Sequence, residues 1–134
     1  MTSWTQLLNE DLMSTNHVTH ALLVGTDGTV WADSGNWSSL VNGGIIDDVF
    51  LNKIVTGFEN RQELYDSGID VEETHFYITN IMDDYICGKK GVQGLYIYKS
   101  KTALLLCMYG LDQQPGEALI VTENFTRYLI EQDL

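Results

Sequence analysis

Between residues 74 and 109 the chain is a succession of short β-branched and aromatic runs broken by turn residues, and this pattern restricts the fold more than any other feature. Thr74 to Met82 alternates apolar with polar and reads as a strand. Tyr85 to Cys87 reads as a second strand, and Gly88-Lys89-Lys90-Gly91 as a tight turn or bulge. Gly94 to Tyr98 is a third strand, after which Lys99-Ser100-Lys101 turns into the apolar run Thr102 to Tyr109. Hairpin-linked strands flanked by helices make an antiparallel sheet in an α+β domain.

The flanks supply those helices. Thr2 or Ser3 is placed to cap a helix over roughly Trp4 to Met13, with Trp4, Leu7, Leu8 and Leu12 at helical spacing. On the helical wheel Asp11 falls between Trp4 and Leu7, where a carboxylate sealed in a core would be costly. The spacing therefore turns Leu8 and Leu12 to the core and leaves Trp4 and Leu7 on a half-open edge. Val18 to Gly25 reads as a buried strand and Thr26-Asp27-Gly28-Thr29 as a hairpin turn, since Asp-Gly readily supplies positive φ. Thr29 to Asp33 is the return strand and carries Trp31. Residues 34–44 read as polar loop. A helix is expected from Asp47 to about Asn60, with Val49, Phe50, Ile54 and Phe58 inward.

The last helix is expected from Pro115-Gly116 to about Gln132, with proline suited to its first turn. Ala118, Val121, Thr122, Phe125, Tyr128 and Leu129 share one stripe. Ile120 lies on the other side, either as a stray exposed isoleucine or as a partner contact.

Composition narrows the class. The chain's 134 residues fit one domain, 1–134, and 44% hydrophobic content is enough to fill one core. The longest apolar runs fall short of the ~20 residues that cross a bilayer. The N-terminus lacks the basic-then-apolar layout of a signal peptide, so a cytosolic address is expected. Cys87 and Cys107 sit in strand-like stretches and read as reduced, buried thiols. A net charge of -12 argues against nonspecific nucleic-acid binding, which needs a basic field. Even so, Lys89, Lys90, Lys99 and Lys101 crowd into one segment as a positive island.

Nothing in the pattern points to catalysis. His17 and His20 stand at a strand entrance without a carboxylate or cysteine nearby in sequence, and His75 is the only other histidine. The pairs Asp47-Asp48, Glu72-Glu73 and Asp83-Asp84 read as helix-start or loop charges. There is no P-loop, nucleophile elbow or zinc spacing, so neither enzyme activity, cofactor nor metal is expected.

Four fragments together resemble the profilin family: Ser3-Trp4-Thr5-Gln6-Leu7-Leu8 with Leu12-Met13; Gly25-Thr26-Asp27-Gly28-Thr29-Val30-Trp31-Ala32; Tyr85-Ile86-Cys87-Gly88-Lys89-Lys90-Gly91 followed by Lys101-Thr102-Ala103; and Pro115-Gly116-Glu117-Ala118 with Tyr128-Leu129. Residues 34–67 match least. The resemblance implies a central antiparallel sheet with the N- and C-terminal helices on one face and a further helix on the other.

It also implies three binding surfaces on a cytoplasmic, cytoskeleton-associated monomer. A groove for proline-rich segments would use Trp4, Leu7, Trp31, Tyr128, Leu129 and Leu134. Polyproline II loses little entropy on docking and packs into aromatic grooves. Leu7 replaces the family's usual Tyr and Leu134 its usual aromatic, each expected to weaken binding by on the order of 1 kcal/mol. Monomeric actin would meet Lys89, Lys90, Thr102, Gly116, Glu117, Ile120 and Asn124. Asn80 and Asp84 stand where some relatives carry basic residues, which implies weaker electrostatic steering. Phosphoinositide head groups would use Lys89, Lys90, Lys99 and Lys101, at ~1 kcal/mol per lysine, against the overall negative charge.

The implied activity is regulation of actin polymerisation, with the monomer delivered to proline-rich assembly factors and its nucleotide exchange accelerated. The alternative is a roadblock- or longin-type dimeric scaffold for small GTPases, which also presents an apolar strand, an Asp-Gly hairpin and a return strand. Such a scaffold leaves Trp4, Tyr128 and the lysine-bearing segment 88–91 unexplained.

Overall fold

The computed structural model describes residues 4–33, 48–71 and 74–134. The expected cap at Thr2 or Ser3, the loop at 34–44, the helix start at Asp47 and the pair Glu72-Glu73 lie outside the described residues, as does the side chain of Val49. In chain order come α1 (Trp4–Asp11), a 3-10 turn (Met13–Thr15), β1 (His20–Gly25), β2 (Val30–Asp33), α2 (Asp48–Glu59) and α3 (Arg61–Ser67). These are followed by β3 (Ile69–Val71), β4 (Thr74–Ile81), β5 (Tyr85–Lys90), β6 (Gln93–Lys99), β7 (Ala103–Tyr109) and α4 (Pro115–Glu131).

The strands form one antiparallel sheet in the order β2-β1-β7-β6-β5-β4-β3. Alternation along each strand sends side chains to both faces. Leu22, Val24, Leu104, Leu106, Leu95 and Ile97 meet Leu51, Ile54 and Phe58 of α2 and Leu64 of α3. On the opposite face Ala21, Leu23, Leu105, Cys107, Tyr96 and Tyr98 meet Leu8 of α1 and Ala118, Phe125 and Leu129 of α4. The α+β expectation therefore holds, with the terminal helices sharing one face.

Leu8 and Leu12 are fully buried, whereas Trp4 and Leu7 are half-buried and Asp11 is exposed. The single carboxylate at position 11 thus reports correctly which side of α1 is sealed. The helix itself stops earlier than Met13. Thr15 Oγ1 donates to the Leu12 carbonyl at 2.6 Å, and Asn16 takes φ 61°, a left-handed stop that asparagine tolerates.

One local expectation is corrected, and two short elements have no counterpart in the sequence pattern. Gly88, Lys89 and Lys90 belong to β5, and the turn falls at Gly91, whose φ is 61°. Gly88 is small for a different reason: an added Cβ would stand 3.1 Å from Phe76 Cβ on the neighbouring strand. Helix α3 has one buried side chain, Leu64, so its periodicity is too faint to read. Gly57 lets it pack against α2, since a Cβ there would lie 2.4 Å from Leu64 Cδ2. Strand β3 is only three residues long, with Ile69 and Val71 in and Asp70 out.

Cys87 and Cys107 are both free, and Cys107 is the fully buried one. Each is registered opposite Tyr96, from either side, which puts the cysteines two strands apart. That is about 10 Å between Cα atoms, beyond the ~7 Å limit for a disulfide.

Candidate binding surfaces

The aromatic surface begins with an irregularity in β2. Leu23 pairs with Ala32 and Val24 with Val30, leaving Trp31 as an extra residue between them. Such a bulge re-aims a side chain. Plain alternation would send Trp31 and Ala32 to opposite faces, yet both pack on the α1–α4 side. There the rings of Trp31 and Trp4 lie 5.9 Å apart at 31°.

The hairpin before the bulge is tightly held. Gly25 N–H donates to the Thr29 carbonyl at 2.7 Å, and Thr29 N–H donates to Asp27 Oδ1 at 2.9 Å. Donation from the Thr29 N–H, and then from its side chain, holds the Asp27 carboxyl below its usual pKa. Gly28 supplies the positive φ of 95°. Gly25 also leaves room for the indole: an added Cβ would stand 3.0 Å from Trp31 Nε1 and 2.7 Å from Asp27 Oδ1.

Leu134 is brought to the same core and tied in place. Its N–H donates to the Leu129 carbonyl at 3.0 Å, and its own carbonyl accepts from Lys101 N–H at 2.7 Å. Lys101 Nζ pairs with Asp133, whose carboxyl this contact holds below its usual pKa. Trp4, Leu7, Trp31 and Leu134 thus lie half-buried around one core, with Leu129 sealed inside it. Tyr128 stands 36% exposed, with its ring 6.3 Å from Phe125. Between α1 and α4, Tyr128 also borders a cleft of about 470 Å³, walled by Val121, Asn124 and Phe125 and rimmed by Glu10, Asp11 and Thr15.

The expected actin-facing residues divide. Lys89 and Lys90 are exposed at the end of β5, and Lys90 Nζ lies 5.4 Å from the Tyr77 ring centre. Lys89 registers with Gly94 and Gly94 with Tyr109, which leads into α4. Gly116, Glu117 and the 50%-exposed Ile120 are therefore at that end of the sheet. Asn124 borders the α1–α4 cleft instead. Thr102 lies at the far end of β7, where its carbonyl accepts from Thr26 N–H at 2.9 Å.

The lysine island is likewise split. Strand β6 runs about 20 Å between the Lys89–Lys90 end and the Lys99–Lys101 end. Lys99 leans over the Phe58 ring at 4.5 Å on the α2 face, and Lys101 is engaged by Asp133.

The sheet surface beside the lysines carries residues that the sequence reading passed over. Tyr77 is 59% exposed, and Tyr85 stacks on Tyr98 with ring centres 4.8 Å apart. Tyr96 stacks on Tyr109 at 5.5 Å and donates its hydroxyl to the Pro115 carbonyl, pinning the start of α4. The alternation of Tyr77 with buried Phe76 and Ile78 was the available signal. Burial raises the pKa values of this layer and so weakens its acids: the Cys87 thiol is pushed up to about 11 and the Cys107 thiol to about 12, while Tyr96, Tyr98 and Tyr109 also shift upward. A buried, protonated thiol is a weak nucleophile. Among the described residues, no three His, Cys, Asp or Glu side chains group to hold a metal. No described helix is long and apolar enough to cross a membrane.

The chain matches a family model described as Profilin over residues 2–134. It is 34% identical over 129 residues to Profilin-A of Physarum polycephalum, covering 96% of this chain and 97% of that protein. Among solved structures it resembles Acanthamoeba castellanii profilin IA, with a TM-score of 0.85 and 30% identity over 98% of this chain and 100% of the other. Mouse profilin IIa, solved in complex with a double repeat from the FH1 domain of mDia1, shares the fold at a TM-score of 0.76 and 15% identity, over 98% of this chain and 99% of that one.

Proposed function

Because this chain belongs to the profilin family, whose members bind monomeric actin and regulate its polymerisation without catalysing a reaction, we propose that its two jobs are divided between opposite ends of the sheet. A family match over nearly the whole chain leaves no role for the GTPase-scaffold alternative. One end takes proline-rich segments of assembly factors. Trp4, Leu7, Trp31, Tyr128 and Leu134 supply the contact surface, and Leu129 supports it from below. The indole N–H groups and the Tyr128 hydroxyl are suited to donate to the free carbonyls of a polyproline II helix.

The other end takes the actin monomer. Lys89 and Lys90 supply positive charge, Ile120 an apolar contact, and Gly116 and Glu117 the adjoining helix surface. Thr102 lies with the peptide end and drops out of this set, and Asn124 contributes only at its margin. Anionic head groups are left with Lys89 and Lys90 alone, so phosphoinositide binding would be weak and would compete with actin. The protein would act in the cytoplasm, holding the monomer and presenting it to assembly factors.

The observation that supports this division is the separation of the Trp4–Trp31 pair from Lys89 and Lys90 by the length of β6 and β7. Substituting Lys89→Glu with Lys90→Glu tests it, reading actin-monomer affinity by fluorescence and decaproline binding by tryptophan emission. The reading expects weaker actin binding and unchanged decaproline binding. Unchanged actin affinity would overturn the assignment of the lysines.

A further inference from the structure

The aromatic surface does not stop at Tyr128. Its side chain also borders the cleft of about 470 Å³ between α1 and α4, whose other wall is the end of the same helix that carries Trp4, so a segment seated in the groove has this cleft beside it. Its accessible aromatic face is the half-exposed ring of Tyr128, backed by Phe125, which is sealed in the core. Its rim is acidic, from Glu10 and Asp11, both exposed. Among the described residues no basic side chain borders it, and the nearby Arg127 of α4 is engaged by Glu123 at 3.5 Å.

A polyproline helix carries no side-chain charge, so these carboxylates do nothing for the prolines themselves. They suit what flanks the prolines. We propose that the α1–α4 cleft is a subsite for an arginine flanking a proline-rich segment, and that it sets which proline-rich partners this protein prefers. The proposal rests on the peptide-groove reading above. A guanidinium stacks on aromatic faces and forms paired hydrogen bonds with carboxylates, which is the combination the cleft offers. Lysine supplies the charge without the planar stacking and binds there less well. The net charge of -12 also draws cationic ligands from a distance.

The helix sets the spacing. From Trp4 to Asp11 is seven residues, about 10 Å at 1.5 Å per residue. Polyproline II advances about 3.1 Å per residue, so the arginine belongs three to four residues beyond the proline seated on Trp4.

The test titrates the full chain with five peptides, following tryptophan emission: decaproline, decaproline with arginine four residues beyond its last proline, the same with arginine four residues before its first, and a glutamine control for each of the two arginine peptides. One arginine peptide is expected to bind about threefold to tenfold tighter than its glutamine control at low salt, with the gap closing at high salt. In the Glu10→Gln/Asp11→Asn variant the preference falls to less than about twofold, while decaproline affinity stays the same. Equal binding of arginine and glutamine peptides to the unmodified protein overturns the subsite alone, as does a preference that survives in the variant. Failure of every peptide, decaproline included, to bind overturns the groove reading and the subsite with it.

Discussion

Trp31 and Trp4 stand 5.9 Å apart because β2 contains one residue more than its partner strand requires. Trp31 is itself that extra residue; in a regular strand the residue preceding Ala32 would point to the α2 face, away from Trp4. The pair joins the start of α1 to the β1–β2 hairpin, and both rings remain half-exposed over a filled core.

Aromatic anchors of this kind dominate binding energies. Trp4→Ala or Trp31→Ala is expected to weaken decaproline binding by about tenfold or more, with Trp31→Phe in between. Actin affinity should stay within about twofold, because the altered groups lie far from Lys89 and Lys90. Isothermal titration checks both; an alanine variant that binds decaproline normally would contradict the role given to the pair.

Gly25→Ala probes the placement of Trp31 without touching either ring. The new methyl would press on Trp31 Nε1 and Asp27 Oδ1. Both are side-chain ends that can move, so the expected stability loss is about 1 kcal/mol. Peptide affinity should fall by about threefold to tenfold, since displaced positioning contacts carry directly into binding. Urea unfolding together with peptide titration separates the two effects. Normal peptide binding by a folded Gly25→Ala protein would show that the indole position is not critical.

Leu7 and Leu134 are opportunities for gain. Leu7→Tyr adds a hydroxyl donor and ring area beside the Trp4 edge, and Leu134→Tyr adds ring area over the same core. Each is expected to tighten decaproline binding by about fivefold, close to 1 kcal/mol. The measurement is peptide titration of the two single variants and the pair; no gain from either would mean these positions lie off the ligand path.

Alkaline pH should unfold the protein. Cys87, Cys107, Tyr96, Tyr98 and Tyr109 all hold their protons more tightly folded than unfolded, chiefly through burial. The unfolded chain therefore loses protons first, at about pH 8.5 for thiols and 10 for tyrosines. Stability is fully present below that range and falls as pH rises through it. Urea midpoints measured from pH 7 to pH 11 should be level to about pH 8 and then decline. A midpoint that holds steady to pH 11 would contradict the buried tyrosine layer.

Much of this architecture is legible in the residues, for reasons that also explain the misses. Asp11 marks the open side of α1 because a charge cannot be sealed cheaply, so the inward roles of Leu8 and Leu12 follow from sequence. The bulge at Trp31 leaves no such mark, since Val30-Trp31-Ala32 reads equally well as regular alternation. Gly88 misleads because glycine serves both turns and close strand packing, and here Phe76 requires the second. The four lysines are neighbours along the chain but not in space. A hairpin strand separates them, and Phe58 and Asp133 hold the second pair. Helix α3 and strand β3 bury too few side chains to leave a period.

The central claim is that actin and proline-rich ligands occupy separate ends of one sheet. Its most direct test measures actin-monomer affinity with and without saturating decaproline. The account predicts the same affinity within about twofold, with a ternary complex visible by sedimentation. Displacement of actin by decaproline would contradict it.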